Sequence, residues 1–307
     1  VSSEFVFRDA LPSDREEVLA LTANTWEGGD YIHWVFDEWV ADTSGRFLVA
    51  VDATLGSIAA IDKLSFYTPG EAWFEGLRVH PAYRGRGLAA SLQTYMIGEA
   101  RRLGGRVVRF LTAVNNSTVH RKAYRDGFRA RFVVRQFKWS PIGDKSPGAV
   151  SVSDAWALRP ATSAEATLLF DWWTRSSSWD ATGGMVHRVW SFSQTTVDEW
   201  VERAARGDLL VPEGTDVTHL SAPPAMALVA EDHGPEAGAT WTIGLVSAIG
   251  SEWPALASAL ARRAGAQGIR HMEGLLPDSA SLLAAFIAAG FSCDPDGECL
   301  CLFELDL

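Results

Sequence analysis

Between Glu75 and Ala89 the chain reads Glu-Gly-Leu-Arg-Val-His-Pro-Ala-Tyr-Arg-Gly-Arg-Gly-Leu-Ala, and few folds can accommodate that order. Ala72–Val79 has strand composition, and Pro81, with no N–H to give a ladder, stops the strand. Gly85 and Gly87 allow a sharp turn. A helix then starts near Gly87, with Leu88, Leu92, Met96, Ala100 and Leu103 on one face and Gly104-Gly105 as its stop. A strand delivered through glycines into a helix start leaves the first-turn N–H groups unpaired, with the positive end of the dipole behind them. That is a cradle for a pyrophosphate, and Arg84 and Arg86 add charge-assisted hydrogen bonds.

Gly85-x-Gly87-x-x-Ala90 also fits a dinucleotide fingerprint, which calls for an Asp or Glu roughly 20 residues on. Val107–Leu111 supplies none, and the phosphate loop G-x-x-x-x-G-K-S/T is absent, so neither nucleotide reading gains support. The net charge is −11, against a general binder of nucleic acid or anionic membrane. Residues 76–135 nevertheless hold thirteen Lys/Arg against Glu99 and Asp126, a local +11 that leaves −22 elsewhere. The segment is read as a site for a polyanionic small molecule, with a solvated basic face as the alternative.

Turn and periodicity signals place strands at Phe5–Arg8, Phe47–Val51, Ser57–Phe66, Ala72–Val79, Arg106–Leu111 and Phe132–Trp139. Helices follow Leu11–Asp14, span Trp34–Val40, begin near Gly87 and cover Ser117–Tyr124, giving the order β-α-α-β-β-β-α-β-α-β. With 307 residues, two domains are expected: 1–140, a Pro/Gly/Ser-rich linker at 141–150, and 151–307. The second half resembles a worn copy of the first. Leu158-Arg-Pro-Ala-Thr-Ser-Ala-Glu165 echoes Phe7-Arg-Asp-Ala-Leu-Pro-Ser-Asp14, and Ala288-Ala-Gly-Phe291 echoes Arg125-Asp-Gly-Phe128. No apolar run is long enough to span a bilayer, the start has no leader pattern, and a cytoplasmic location is expected. Cys293, Cys299 and Cys301 read as reduced strand residues without metal spacing, so no metal is expected.

Val79-His-Pro-Ala-Tyr-Arg-Gly-Arg-Gly-Leu-Ala89 resembles motif A of the GNAT acetyltransferases, V-x-P-x-x-R/Q-x-x-G-x-G/A, at every position. Asn115-Asn116 followed by a helix ending in Tyr124-Arg-Asp-Gly-Phe128 resembles motif B. More narrowly, Glu27-Gly-Gly-Asp-Tyr31, Trp39 and Glu75–Val79 are similar to the branch containing histidine N-acetyltransferase. The resemblance implies an α+β class (an α/β sandwich): tandem GNAT-like folds, each a mixed, mostly antiparallel sheet flanked by helices. It implies acetyl-CoA as cosubstrate, with backbone groups of Leu77 and Val79 on the pantetheine arm. The pyrophosphate would rest on the amides of Arg84, Gly85, Arg86, Gly87, Leu88, Ala89 and Ala90, with Asn115 or Asn116 contacting cofactor, and the thioester would enter where the strand ending at Val79 parts from the one starting at Arg106.

Acetyl transfer to an amine needs a base, an oxyanion donor and a proton for the thiolate. Glu75 shares strand parity with Leu77 and Val79 and is the candidate base, with a salt-bridged strand carboxylate as the alternative. The Val79 N–H is the candidate oxyanion donor. Tyr124 is the candidate acid or else a packing residue, because the family's tyrosine falls on Ala123, one helical residue or about 100° away; His120 is a further possibility. Asp30 and Tyr31 either hold the acceptor's charged group or form a plain turn. In the second half, Ser247–Pro254 has no Arg-x-x-Gly and carries Glu252 where phosphates would sit, so no cofactor is expected there; its role is read as shaping the acceptor cleft. Its eight tryptophans, Trp172, Trp173 and Trp179 among them, read as core or as a lined surface. The expected activity is acetylation of a primary amine of a small molecule, plausibly an amino acid. Alternatives are a protein lysine or N-terminal acetyltransferase and a non-catalytic acetyl-CoA sensor. No nucleic-acid or membrane partner is expected, and the state is monomer or homodimer.

Overall fold

A computed structural model describes residues 4–23, 25, 29–141, 157–188, 190–217, 223–232, 240–293 and 299–307. Along the chain run β1 (Phe5–Asp9), α1 (Arg15–Thr22), α2 (Ile32–Ala41), β2 (Arg46–Asp52), β3 (Ile58–Thr68), β4 (Glu71–Val79), α3 (Leu88–Arg102), β5 (Val107–Ala113), α4 (Ser117–Arg125) and β6 (Arg129–Trp139). This is the expected order. There follow β7 (Leu158–Pro160), α5 (Ser163–Trp173), α6 (Ser177–Thr182), β8 (Met185–Arg188), β9 (Ser191–Gln194), α7 (Val197–Arg206), β10 (Leu209–Pro212), β11 (Ala225–Asp232), β12 (Thr240–Ala248), α8 (Trp253–Ala266), β13 (His271–Pro277), α9 (Ala280–Ala288) and β14 (Leu300–Asp306).

Two compact units emerge, and neither is a contiguous half. The first takes the chain up to Phe110, with Thr118–Arg129 and Phe303–Leu307; the second takes Leu111–Ser117 and Ala130–Leu302. Of the expected linker, 142–150 lie outside the described residues.

In the first unit the sheet order is β1-β2-β3-β4-β5. Its ladders are antiparallel except β4 with β5, which is parallel. Val18, Ile32, Phe36 and Trp39 from α1 and α2 bury one face against Phe47, Val49 and Ile61. Leu88, Leu92, Met96 and Ala100, the periodic face of α3, are buried where α3 packs on β3 and β4. Residues 303–307 belong here for identifiable reasons. Phe303 stacks on Phe110 (5.3 Å between centroids, 10° between planes), and buried Arg109 bonds Glu304 at 2.7 Å and Glu71 at 2.5 Å.

In the second unit the order is β6-β13-β12-β11-β10-β7, with β12 and β13 parallel. Trp173 and Trp200 are fully buried and stacked at 5.0 Å, with Trp172 and Trp179 packed on the same cluster, so these tryptophans serve the core. The echoes seen in the sequence have matching geometry. Arg8 grips Asp14 with two hydrogen bonds of 2.6 and 2.9 Å, and Arg159 grips Glu165 with two of 2.9 and 2.6 Å. The helix end at Gly127 closes by Phe128 N–H to Ala123 O (2.9 Å), and that at Gly290 by Phe291 N–H to Phe286 O (3.0 Å). Among the described residues no helix is long and apolar enough to cross a membrane.

Removing one partner of a buried ion pair leaves the other charge uncompensated, at a cost of about 3–5 kcal/mol. Glu304→Ala is therefore expected to lower unfolding free energy by that order, read by urea denaturation. A loss below about 0.5 kcal/mol, typical of a surface change, would contradict the burial of this pair.

Candidate functional site

A cleft of about 480 Å³ lies between the start of α3 and the side of α4. It is lined by Val79, Tyr83, Arg84, Gly85, Gly87, Leu88, Ala89 and Ala90 on one wall and Thr118, Arg121, Lys122 and Arg125 on the other. Gly85 and Gly87 have φ of 76° and 80°, the left-handed region that favours glycine, which turns the chain into the helix. Arg84 N–H donates to Pro81 O and Ala90 N–H to Gly87 O, while among the described residues the amides from Gly85 to Ala89 have no intramolecular acceptor. The cradle is thus five amides rather than the seven expected. Arg84 is held by its Nε on Val79 O at 3.2 Å. The Arg86 side chain pairs with Glu4 and lies over the Tyr83 ring at 5.4 Å, and it is not among the residues lining the cleft.

The middle of β4 carries a bulge. β3 pairs Lys63 with Glu75 and Ile61 with Arg78, so one residue of β3 opposes two of β4. Gly76 sits there at φ 72°, and a Cβ on it would come within 2.6 Å of the Trp39 ring. The parallel ladder to β5 covers only Glu71–Trp73 with Val107–Arg109. The extra residue also overturns simple strand alternation, because Glu75 and Arg78 now share a face and Val79, opposite Ala60, points to the other.

Glu75 accepts hydrogen bonds from Ser65 Oγ at 2.6 Å and Tyr67 OH at 2.9 Å. Burial pushes its carboxyl above the ordinary range, partly offset by those two bonds and by Lys63, while Glu38 adds to the rise. A half-buried carboxylate raised in this way is a stronger base than an ordinary surface carboxylate. Burial, then Glu75, likewise push the Tyr67 phenol upward, so it stays a donor. Asp62, on the opposite face of β3 from Lys63, is fully buried, and burial drives its carboxyl well above the usual range.

The expected acceptor residues are engaged within the fold. Asp30 is buried, accepts from Arg78 Nε at 2.8 Å and Nη2 at 3.3 Å, and caps Ile32 N–H at 3.2 Å; it is a support for Arg78, not an open carboxylate. Tyr31 lies under the Arg78 guanidinium (5.6 Å) and beside Trp39 (6.0 Å), and burial pushes its phenol up to about 12. Glu27 and Gly28 lie outside the described residues. Tyr124 does not line the cleft. It is exposed and packs edge-on against Phe303 at 5.4 Å, while Ala123 points into the core, as a 100° offset requires. His120 meets the same Phe303 ring at 4.9 Å. Leu77 is part-exposed on β4, and Asn115 and Asn116 fall in the second unit, where Asn116 donates to Thr112 at 3.4 Å. Ser65, Tyr67 and the α4 wall were missed by the sequence reading. The signal for α4 was present, since positions 118, 121, 122 and 125 follow an i, i+3, i+4, i+7 spacing.

The second unit repeats this frame with a different filling. The β12–β13 ladder also stops after three pairs, at Thr242–Glu273, and the β11–β12 register skips Gly244. Beyond that point buried His187, from the β8–β9 hairpin, lies 3.1 Å from Ile243 O and 3.3 Å from the Leu275 amide. Glu252 caps α8. Among the described residues no group of three His, Cys, Asp or Glu is arranged to hold a metal ion.

The model of the acetyltransferase (GNAT) family matches residues 14–128, a span holding the cleft, the bulge and Glu75. That segment belongs to the GNAT family. A histidine N-acetyltransferase of Oreochromis niloticus is 31% identical over 87 residues, 28% of this chain and 25% of that protein. A probable N-acetyltransferase 16 of Homo sapiens is 33% identical over 87 residues, 28% of this chain and 23% of its own length. The chain thus spans about a quarter of the curated relatives it matches. A GCN5-related N-acetyltransferase structure from Sphaerobacter thermophilus superposes with a TM-score of 0.65 at 16% identity, covering 100% of this chain and 96% of that one. The GNAT fold, α+β with a mixed sheet and flanking helices, therefore extends along the chain.

Gly76 is needed for both its backbone angle and the closeness of Trp39. Gly76→Ala is expected to cost about 2–4 kcal/mol, from left-handed strain plus overpacking, seen as a lowered thermal midpoint. An unchanged midpoint would mean that the bulge is not formed.

Proposed function

We propose that this chain is an acetyl-CoA-dependent N-acetyltransferase acting on a primary amine of a small molecule, with an amino acid as the favoured acceptor class. One observation carries the reading: β4 leaves its parallel neighbour after Trp73 and then presents, within five residues, a hydrogen-bonded base at Glu75, a bulge at Gly76 and the cleft residue Val79. The amide cradle from Gly85 to Ala89 and Arg84 fit a pyrophosphate. The similarity to histidine N-acetyltransferase supports an amino-acid acceptor.

Acetyl-CoA supplies a thioester carbonyl. Glu75 takes the proton of the attacking amine, directly or through a water, while Ser65 and Tyr67 fix the carboxylate; the C–N bond forms, the C–S bond of the tetrahedral adduct then breaks, and coenzyme A leaves as a thiolate that takes its proton from solvent. Backbone N–H groups on the unladdered stretch of β4 are the proposed donors to the developing oxyanion. Arg78, anchored by Asp30 and stacked on Tyr31, shapes the acceptor side. The second unit is proposed as a copy of the fold without a cofactor site.

Incubation with acetyl-CoA and a panel of amino acids, polyamines and peptides, following free thiol, tests this. Thiol release with amino acids is expected; acetyl-CoA binding without release for any amine would replace the enzyme by a binding module. Glu75→Gln should lower kcat by about 10²–10⁴-fold, while Tyr124→Phe should leave it within about twofold.

The base acts ionised and its carboxyl is raised, so activity should fall with acidification at a pH above the ordinary carboxylate range of ~4.3. Tyr67→Phe removes a bond that favours the ionised form and should move that limb to higher pH. A limb that stays in place would exclude Tyr67 from holding the base.

A further inference from the structure

Lys63 is fully buried in β3 and stands directly opposite Glu75 in the β3–β4 register, so the two side chains share a face. Opposed residues on one face have Cβ atoms about 4.5–5.5 Å apart, close enough for a cation to act on a carboxylate. The ammonium is held in place. Its Nζ pairs with Asp42, the residue that ends α2, and donates to Leu64 O at 3.0 Å. Asp42 is pinned in turn, accepting from Ser44 N–H at 2.8 Å, Ser44 Oγ at 2.6 Å and Gly45 N–H at 3.3 Å. Burial works against its ionisation, yet the bonds from Lys63 and Ser44 hold its carboxyl down at about 2. The turn closes tightly over the pair, since a Cβ on Gly45 would collide with Leu64 O and fall 2.9 Å from Lys63 Nζ.

Stability alone is a weak reason for this arrangement, because apolar residues of similar volume often serve as well as a buried ion pair or better. A cation fixed opposite a half-buried carboxylate has an electrostatic use. We infer that the Lys63–Asp42 pair is the electrostatic support of the Glu75 base: Lys63 holds the carboxylate in its proton-accepting form, and Asp42 fixes where that cation stands. This rests on the reading of Glu75 as the base. The other groups that face Glu75 do not supply a positive charge. Ser65 and Tyr67 from β3 are neutral donors, Tyr31 ahead of α2 is a neutral phenol, and Glu38 from α2 is an anion that opposes ionisation. Asp62 lies on the opposite face of the sheet, and Arg78, further along β4, bonds Asp30. Lys63 is thus a positioning residue that acts on the reaction through Glu75.

The test is the pH profile of kcat/KM for the full chain, Lys63→Met, Lys63→Arg and Lys63→Met/Asp42→Asn, with one amino-acid acceptor throughout and circular dichroism to verify folding. The double variant removes both charges and so leaves no lone buried carboxylate. Lys63→Met should move the acid limb to higher pH by about one unit or more, the size expected when an opposite charge at this range is lost. Lys63→Arg keeps the charge and should restore most of the original profile. The double variant should still shift upward, by less, because the opposing charge of Asp42 is gone as well. A limb that stays in place in folded Lys63→Met and in the folded double variant would overturn the support. Loss of the fold in both would overturn it too, by assigning the pair to stability. Glu75→Gln separates this inference from the reading beneath it: an undiminished kcat there would remove the base and its support together, whereas a large loss alongside an unmoved limb would remove the support alone.

Discussion

The single residue inserted into β4 at Gly76 is the constraint on which the site depends. Without it, Glu75, Leu77 and Val79 would share a face, and the Glu75 carboxylate and the cleft residue Val79 would compete for the same side of the sheet. With it, Glu75 turns toward Ser65 and Tyr67 while Val79, opposite Ala60, turns toward the cleft. A bulge also sharpens local twist, in keeping with a parallel ladder to β5 that ends at Trp73. The Trp39 ring occupies the place of a Cβ, so α2 and the bulge are packed as one piece.

The element order of the first half was legible because its signals are local: Pro81 and Gly85 punctuate, and the four-residue spacing of Leu88, Leu92, Met96 and Ala100 marks a helix face. The bulge was not, since Glu75-Gly-Leu-Arg reads equally well as an unbroken alternating strand. That one miss explains why Glu75 was picked by a parity argument that the register does not obey. The ion pairs of Arg86 and Asp30 were hidden for another reason. Each was read as an open ligand, but its partner, Glu4 or Arg78, is distant in sequence and visible only once β1, β4 and the loop before α2 are folded. The grouping of most of β6 with the second unit and of Phe303–Leu307 with the first left no trace in the pattern, because a strand's periodicity says which face it buries and nothing about which sheet it joins.

The second unit carries the same clasps, caps and three-pair parallel ladder, and differs where chemistry would occur. Glu252 stands at the helix start, and His187 bridges the two parting strands from within. A carboxylate at that position opposes an anion, and the hairpin occupies space near the divergence of β12 and β13. The frame is retained in both units, while the residues that fill it differ.

The buried pair of Arg109 and Glu304 is separated by 195 positions. On a ribosome adding residues at about 5–20 per second, Arg109 exists for on the order of ten seconds or more before its partner is made. During that interval Glu71 is its only anion in the pair network, and Phe110 lacks its stacking ring. The unit that carries the site therefore completes its core late, after most of the second unit has been synthesised. Until Phe303–Leu307 emerge, that core stays open at Phe110 and Arg109 is held by Glu71 alone.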